Sequence, residues 1–319
     1  MLFVAVGDPI VDVVVNLDYD DAHSLLGKYT PGEWCLVSGH DMKHLLTRLD
    51  NDKVIQTREC GGSAANTCKT VGALVKNATY WGVIGHDDLG GMFENHMLYH
   101  NVKCNTIVSL SQPSNTCLCV VTPDGQRTMR TCLDASAEFE MSHALSIDFS
   151  GCKIFHMTAY FLSRGENVVM TLLQNAKNKN ALVSYSLAAQ NAVKSNRNVI
   201  LNILKLGLVD IISGNVEEFD TLGIIPNTCI AFVTDGPKGC TVYNKGHAIC
   251  HVDAVHVETV IDTVGAGDIC LGAFLASYIK GMELDECTRI ACKAGAYAVM
   301  NKGSTLAKHE WMCLLRALE

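Results

Sequence analysis

The sequence predicts an α/β fold: a doubly wound, mostly parallel sheet flanked by helices, with a small β lid. Strand-like and helix-like segments alternate regularly in the second half of the chain, which is typical of a sheet with helices on both faces. In the first half, polar and apolar residues alternate at 115–121 and 126–133, which predicts half-exposed antiparallel strands. A chain of 319 residues is long enough for one large core with an appendage.

Each element is predicted from its apolar pattern and the polar residues that bound it. In the second half, strands are expected at Lys153–Met157, Leu182–Tyr185, Val209–Ser213 and Ile230–Thr234, with two short strands within Cys240–Val252. Helices are expected at Glu166–Asn178 and Asn198–Leu206, and two long helices follow the last strands. In the first half, Leu2–Val6 predicts the first strand, Pro123-Asp124-Gly125 predicts a turn, and roughly Val13–Val37 is expected to join the small sheet. We assign residues 1–12, 59–102 and 136–319 to the core and residues 13–58 and 103–135 to the lid.

The composition narrows the classes of partner. The net charge is −8 and no run of five Lys or Arg occurs, so we expect no nucleic-acid binding. No apolar stretch approaches the roughly 18 residues of a membrane span, so we expect no membrane association. The 15 cysteines are scattered without a C-x-x-C pair, which predicts buried free thiols and a cytoplasmic protein.

The most informative motif is the stretch Asp262–Asp268, which precedes an apolar helix. Small residues at a helix start leave backbone N–H groups free, and the helix dipole adds positive potential there. We therefore expect the amides of Gly265, Ala266, Gly267 and Asp268 to form an anion cradle, with the Asp268 carboxylate as a general base. A plain helix cap is the alternative for Asp268.

A second motif is Gly61-Gly62-Ser63-Ala64-Ala65-Asn66. Two glycines let a ligand lie against the main chain, and an amide side chain both donates to and accepts from hydroxyl groups. Gly61, Gly62, Ser63 and Asn66 are thus candidate substrate-binding residues. The alternative is a Gly-Gly turn with Asn66 as a helix cap.

Together these motifs resemble the two signatures of the ribokinase-like (PfkB) carbohydrate and nucleoside kinases. Asp12 is similar to the family's carboxylate that holds sugar hydroxyls. Asn215 and Glu218 resemble its N-x-x-E motif, in which the Glu organises water around magnesium. The stretch Thr234–Gly239 resembles the loop around the ATP phosphates, which makes Thr234, Gly236 and Gly239 candidate nucleotide-binding residues. The five matches occur in the family's order over almost the whole chain.

Within the family, several stretches are most similar to the adenosine kinases. This resemblance implies that Phe161 stacks on the adenine and that Trp34 and Leu36 close over the base. A core aromatic is the alternative for Phe161. Asp8 departs from it, since those enzymes carry Asn there, and Ser186-Leu187-Ala188-Ala189 lacks their Pro-Phe. The segment 219–233 is also shorter than in relatives, which predicts a trimmed edge near the nucleotide.

The resemblance implies an ATP-dependent kinase that phosphorylates the adenosine 5′-hydroxyl in purine salvage. It implies ATP and Mg²⁺ as cofactors, with Glu218 acting on the metal through water, and is compatible with a monovalent cation. The expected partner is a small molecule, a nucleoside or a sugar, bound by a monomer or homodimer. Two alternatives stay open: a sugar kinase acting on ribose or fructose, and a non-catalytic nucleoside-binding protein.

Overall fold

In the computed structural model, residues 2–319 form 16 strands and 11 α-helices. The strands in chain order are β1 (Phe3–Val6), β2 (Ile10–Asn16), β3 (Trp34–Leu36), β4 (Thr57–Gly61), β5 (Ala78–Trp81), β6 (Val83–Gly85), β7 (Val102–Cys104), β8 (Ile107–Ser109), β9 (Asn115–Val121), β10 (Arg127–Cys132), β11 (Ile154–Thr158), β12 (Leu182–Ser186), β13 (Ile211–Asn215), β14 (Ile230–Thr234), β15 (Cys240–Asn244) and β16 (His247–Val252). The helices are α1 (Tyr19–Leu26), α2 (Gly39–Asn51), α3 (Ser63–Val75), α4 (Asp88–Tyr99), α5 (Met141–Ser146), α6 (Glu166–Asn178), α7 (Gln190–Lys205), α8 (Val216–Leu222), α9 (Ala266–Ile279), α10 (Leu284–Val299) and α11 (Lys308–Ala317).

The main sheet has nine strands in the order β16-β15-β14-β13-β12-β11-β1-β5-β7. The strands from β14 to β7 pair in parallel with their neighbours. At one edge, β15 pairs antiparallel with both β14 and β16. The expected mostly parallel, doubly wound sheet is confirmed.

Alternation along the strands builds a core on each face of this sheet. Val4 and Val6 of β1 pack in one apolar cluster with residues of α6 and α7, whereas Phe3 and Ala5 pack in another with residues of α3 and α9. Because successive side chains point to opposite faces, a strand covered on both sides needs a continuous apolar run. This explains why β1 is fully buried.

A second sheet of five strands has the order β3-β10-β9-β2-β4. Helices α1 and α2 cover one face, where Val13 and Val15 contact Leu25 and Met42. The other face carries Asp12, which alternates with these valines along β2.

Two expectations for this region are wrong in part. The middle of the stretch Val13–Val37 is helical, because Asp18 accepts a hydrogen bond from the Asp21 amide (2.8 Å) and caps α1, which then buries Ala22. The strand β9 is not half-exposed either. It is buried over six of its seven residues, because it lies between β10 and β2 in the sheet and because α1 and α2 cover one of its faces.

Further along the chain, α7 begins at Gln190, eight residues before the expected start at Asn198. Asn196 has non-helical angles (φ −120°, ψ 15°), and this kink breaks the apolar period that marks a helix. In the segment 219–233, α8 ends at Leu222, and seven residues, 223–229, lead directly into β14.

The cysteines behave as expected. All 15 are free thiols, and 11 are buried. Every helix within residues 2–319 is too short or too polar to cross a lipid bilayer.

Candidate active site

Two cavities open on either side of the start of α9, close to the carboxyl ends of the parallel strands. The first, which we call the carboxylate cavity, has a volume of about 390 Å³, and Asp8, Asp12 and Asp268 lie in its wall. The second, the aliphatic cavity, has a volume of about 500 Å³, and Val255, Val257, Val260, Ala296 and Val299 lie in its wall. Ligands at the crevice outside the carboxyl ends of the strands are the rule for open α/β sheets.

The start of α9 depends on a glycine. Gly265 caps the helix with φ +72°, and a β-carbon there would lie 2.6 Å from Cβ of Ser304. Both the backbone conformation and the close packing therefore require glycine. Because this cap has no side chain, the amides of Gly267 and Asp268 stay available to an anion. The expectation for Ala266 is wrong in part, since its amide donates to the Thr263 carbonyl oxygen (3.3 Å). Gly265 lies in the wall of the carboxylate cavity, and Ala266 and Gly267 lie in that of the aliphatic cavity, so the cradle faces both.

Asp268, in the first turn of α9, is held by the second motif. Ser63 Oγ donates to Oδ1 of Asp268 (2.6 Å), and Asn66 Nδ2 donates to Oδ2 (3.1 Å). Burial raises the pKa of Asp268 to about 6, although the Ser63 and Asn66 bonds and the Lys69 charge act against it. A carboxylate with this pKa is ionised at pH 7 but close enough to neutrality to take up a proton. The carboxylate does not cap its own helix, so the plain-cap alternative fails.

The glycines of the second motif lie against the carboxylates. Gly62 has φ +100°, and a β-carbon there would lie 2.3 Å from the Asp8 carbonyl oxygen. A β-carbon on Gly61 would lie 2.5 Å from Oδ2 of Asp12, so the glycine leaves room for that carboxylate. Gly61 itself is not in the cavity wall. Burial, with the Glu59 charge, raises the pKa of Asp12 to about 7.

The opposite end of the carboxylate cavity is aromatic and apolar. Trp34 lies 5.7 Å from Tyr160 between ring centroids, and its indole Nε1 donates to Thr131 Oγ1 (2.9 Å). Leu36 lies in the same wall with 54% of its surface exposed.

The expected stacking role of Phe161 is wrong. Phe161 is 1% exposed and packs edge-on against Phe139 in the core, 5.0 Å between ring centroids. Tyr160 and Phe161 both belong to the short 3₁₀ helix Ala159–Arg164, whose turn directs adjacent side chains to different sides. As a result Tyr160, not Phe161, faces the cavity.

The aliphatic cavity contains the predicted nucleotide loop. Thr234, Gly236 and Gly239 lie in its wall. Gly239 has φ +98°, and a β-carbon there would lie 2.0 Å from the Val252 carbonyl oxygen, so the loop passes tightly against the end of β16. Three thiols, of Cys240, Cys270 and Cys292, complete the apolar side.

Asn215 and Glu218 lie outside the walls of both cavities. They form a reciprocal cap of α8: Asn215 Oδ1 accepts from the Glu218 amide (2.8 Å), and Glu218 Oε2 accepts from the Asn215 amide (3.0 Å). Burial raises the pKa of Glu218 to about 7, and the Asp268 charge contributes to this rise. A carboxylate oxygen is the kind of ligand that a divalent cation such as Mg²⁺ prefers.

A direct protein cage for that cation is absent. Within residues 2–319, no three His, Cys, Asp or Glu side chains are grouped so that they could hold a metal ion. A magnesium ion at this site would therefore keep several waters and take its other ligands from phosphate oxygens, the mode that Mg²⁺ usually adopts.

An ion pair that sequence reasoning missed joins the second sheet to the cradle. The Arg127 guanidinium, at the start of β10, contacts the buried Asp262 carboxylate, which also accepts hydrogen bonds from the Val264 amide (3.0 Å) and the Gly303 amide (2.7 Å). Asp262 thereby shapes the loop before Gly265. The only sequence signal for Arg127 is a charge near the start of a predicted strand, which does not reveal a partner 135 residues away.

Characterised proteins similar to this chain include fructokinases and adenosine kinases. Fructokinase-2 of Solanum lycopersicum is 28% identical over 277 residues, which cover 76% of this chain and 82% of that protein. Adenosine kinase of Dictyostelium discoideum is 24% identical over 337 residues, which cover 95% of this chain and 96% of that protein.

Solved structures share the fold. A probable sugar kinase from Rhizobium etli CFN 42 superimposes with a TM-score of 0.88 at 23% identity, over 100% of this chain and 99% of that one. Adenosine kinase from Sinorhizobium meliloti superimposes with a TM-score of 0.86 at 24% identity, over 99% of each chain. The ribokinase-like fold expected from the motifs is confirmed.

The family itself follows from one further match. The model of the pfkB family of carbohydrate kinases matches residues 50–311, which include both glycine motifs and the loop at Thr234. With the fold and the cradle, this match establishes that the chain belongs to the pfkB family of carbohydrate kinases, whose members bind small-molecule substrates and use ATP.

Proposed function

We propose that the protein transfers the γ-phosphoryl group of MgATP to the 5′-hydroxyl of adenosine, giving AMP and ADP, as a step of purine salvage. The observation that carries this proposal is the two-ended carboxylate cavity, which has Asp12, Asn66 and Asp268 at one end and the Trp34–Tyr160 pair at the other. A nucleoside has the same division into a hydroxylated sugar and a flat ring. A free sugar uses only the polar end.

The polar end suits a ribose. The carboxylate of Asp12 accepts hydrogen bonds from hydroxyl groups, and Gly62 lets the sugar lie close to the main chain. The aromatic end suits a purine, because a stacked ring is worth about 1–3 kcal/mol per base. Leu36, on the outer strand β3, covers the same end.

Asp268 is the group that acts on the acceptor. Its carboxylate takes the proton of the primary hydroxyl as the new O–P bond forms, and the amides at the start of α9 stabilise the charge on the transferring phosphoryl group. ATP occupies the aliphatic cavity, with its adenine against the aliphatic wall and its phosphates beside Gly236 and Gly239. In-line transfer is then possible because the two cavities meet at the cradle.

Magnesium, when bound with ATP, neutralises charge on the phosphates. Glu218 is the residue we assign to hold its water shell, with Asn215 fixing the carboxylate through their shared cap. We assign residues 13–58 and 103–135 as the lid, whose closure excludes water from the reaction.

A sugar kinase is the second candidate, favoured by one specific observation. The Asp8 carboxylate, in the wall of the carboxylate cavity, is paired with Arg164 at 3.0 Å, and both side chains are largely buried. This charged pair adds polar character to the sugar end. Similarity to the fructokinase of Solanum lycopersicum supports the same class.

An ADP-release assay over a panel of acceptors tests the proposal. The purified protein with MgATP is given adenosine, other nucleosides, ribose and fructose in turn. Adenosine is expected to have the highest kcat/KM. Higher kcat/KM with fructose or ribose would support the second candidate, and thermal stabilisation by adenosine without ADP release would indicate a non-catalytic binding protein.

A further inference from the structure

A buried lysine that the chemistry above does not use lies directly behind the catalytic carboxylate. Lys69, on α3, is 1% exposed, and its ammonium donates to the Ser304 carbonyl oxygen (2.5 Å) and to Ser304 Oγ (3.1 Å). Its Nζ also lies 3.5 Å from Asn66 Oδ1. Burial lowers the pKa of Lys69 to about 8, so the group is still charged at pH 7. Taking an ammonium out of water is unfavourable, and one kept there without a carboxylate in contact calls for an explanation.

The hydrogen bonds around Lys69 have a fixed direction. An ammonium has donors only, so Ser304 Oγ must accept from Lys69 and is left to donate to Asn66 Oδ1 (2.8 Å). With its oxygen engaged in this way, the Asn66 amide must present Nδ2 to Asp268, where it donates to Oδ2 (3.1 Å). This series of hydrogen bonds therefore requires an acceptor at Asp268, and an ionised carboxylate is such an acceptor.

We propose that Lys69 is a positioning residue for phosphoryl transfer: through Ser304 it orients the Asn66 amide toward Asp268, and its charge keeps that carboxylate in the anionic form that accepts the proton. The inference rests on the proposed function in taking Asp268 as the base. It does not depend on which acceptor is used. Without the ammonium, Ser304 can rotate and Asn66 can turn its oxygen toward Asp268, which favours the protonated acid.

Several other titratable groups face Lys69. They are Asp12 on β2, Glu59 and Cys60 on β4, His96 on α4, His100 after it, and Asp268 on α9. Burial lowers the pKa of His96 to about 3 and of His100 to about 4, and it raises that of Cys60 to about 11, so these three stay neutral between pH 5 and pH 9. Asp12, whose pKa burial raises to about 7, titrates in the same range as Asp268.

The test is the dependence of kcat on pH, measured with saturating MgATP and whichever acceptor the wild-type protein phosphorylates best. In the wild-type protein, kcat is expected to fall below about pH 6, as Asp268 takes up a proton. In Lys69→Met the acid limb is expected to move to higher pH by about one unit, the scale of a lost neighbouring charge. A move of one unit from about pH 6 is expected to lower kcat about fivefold at pH 6 and about twofold at pH 7, while the acceptor KM changes little.

Lys177→Met is the matched control. Lys177, on α6, is a half-buried lysine with Nζ 2.7 Å from the Asp210 carboxylate, and it lies outside the walls of both cavities. Its loss is expected to lower the melting temperature without moving the acid limb. A purely structural Lys69 would give this same result.

Two further variants make the result decisive. Ser304→Ala removes the relay hydroxyl while leaving the ammonium, and a smaller shift in the same direction is expected; this variant decides if Lys69→Met does not fold. In the Asp12→Asn background the Lys69→Met shift must persist, because a shift that disappears there would have come from Asp12. An acid limb that does not move in Lys69→Met overturns the inference, and if Lys69→Met does not fold, the same result in Ser304→Ala overturns it. In either case, turnover by the wild-type protein leaves the proposed function standing. Absence of wild-type turnover with every acceptor would refute the proposed function instead.

Discussion

The carboxylate and aliphatic cavities share the start of α9 but have opposite chemistry. The wall of the first contains Asp8, Asp12 and Asp268, and burial raises the pKa of Asp12 and of Asp268. The second is bounded by valines, alanines and thiols, and glycines carry the loop that approaches it. Under the proposed function, this difference corresponds to two roles: one cavity would orient and deprotonate a hydroxylated acceptor, and the other would hold a flat group by apolar contact. The phosphoryl group would then pass at the helix start between them.

The largest expected effect is a loss of kcat from a substitution in the carboxylate cavity alone. Asp268→Asn keeps the shape of the side chain but removes the proton acceptor, so kcat should fall by a factor of about 10² or more, the usual value of general base assistance. Acceptor and ATP affinity should stay nearly unchanged, because neither cavity changes volume. Steady-state kinetics with both substrates measures this, and near-normal turnover would mean that Asp268 is not the base.

A smaller effect on KM should distinguish the two cavities, because each is expected to bind a different substrate. Trp34→Ala removes the ring that faces Tyr160, and the KM for adenosine should rise about tenfold, on the scale of one lost stacking contact. Ala296→Leu should instead fill part of the aliphatic cavity and raise the KM for ATP. Each variant serves as the control for the other. If either variant raised both KM values equally, the division between the cavities would be wrong.

The smallest expected effect concerns stability. The pKa of Asp12 is raised from 3.8 to about 7 in the folded protein, so the folded state holds a proton that the unfolded state releases near pH 4. Stability associated with this proton is present below pH 3.8 and is lost as the pH rises through about 7. Asp12→Asn should therefore increase the free energy of unfolding at pH 8 by at least about 1 kcal/mol, since each unit of pKa difference corresponds to about 1.4 kcal/mol.

Denaturant titrations at pH 8 and pH 4 provide the check for Asp12→Asn. The gain should be smaller at pH 4, because the wild-type carboxyl is then largely protonated in the folded state. A loss of stability at pH 8 would show that contacts of the charged carboxylate, such as that with Cys117, outweigh its burial.

The parallel sheet was predictable because its strands and helices carry unbroken patterns. Ile230–Thr234 and Glu166–Asn178 have the predicted bounds. The strand is one short apolar run that ends before Asp235-Gly236, and the helix follows Gly165 and carries a clear helical period. Prediction failed where a tertiary contact or a kink replaced the period, as at Asn196 in α7. It also failed for α1, whose helical start depends on the single Asp18 cap.

Within the site, the motif residues were predictable and their supports were not. Ser63 and Asn66 reach Asp268 across more than 200 positions, and the resemblance alone placed them in one site. A resemblance does not resolve which of two adjacent aromatics faces a cavity, because a 3₁₀ turn decides between Tyr160 and Phe161. Lys69 lies in an apolar helix with no local sign that it contacts Ser304.

The most direct test of the central claim compares adenosine with 5′-deoxyadenosine. Both molecules can enter the carboxylate cavity, but only adenosine offers Asp268 a primary hydroxyl. ADP release should occur with adenosine and give 5′-AMP as the product, whereas 5′-deoxyadenosine should inhibit competitively and release no ADP. Phosphorylation of 5′-deoxyadenosine, or failure of adenosine to yield 5′-AMP, would contradict the account.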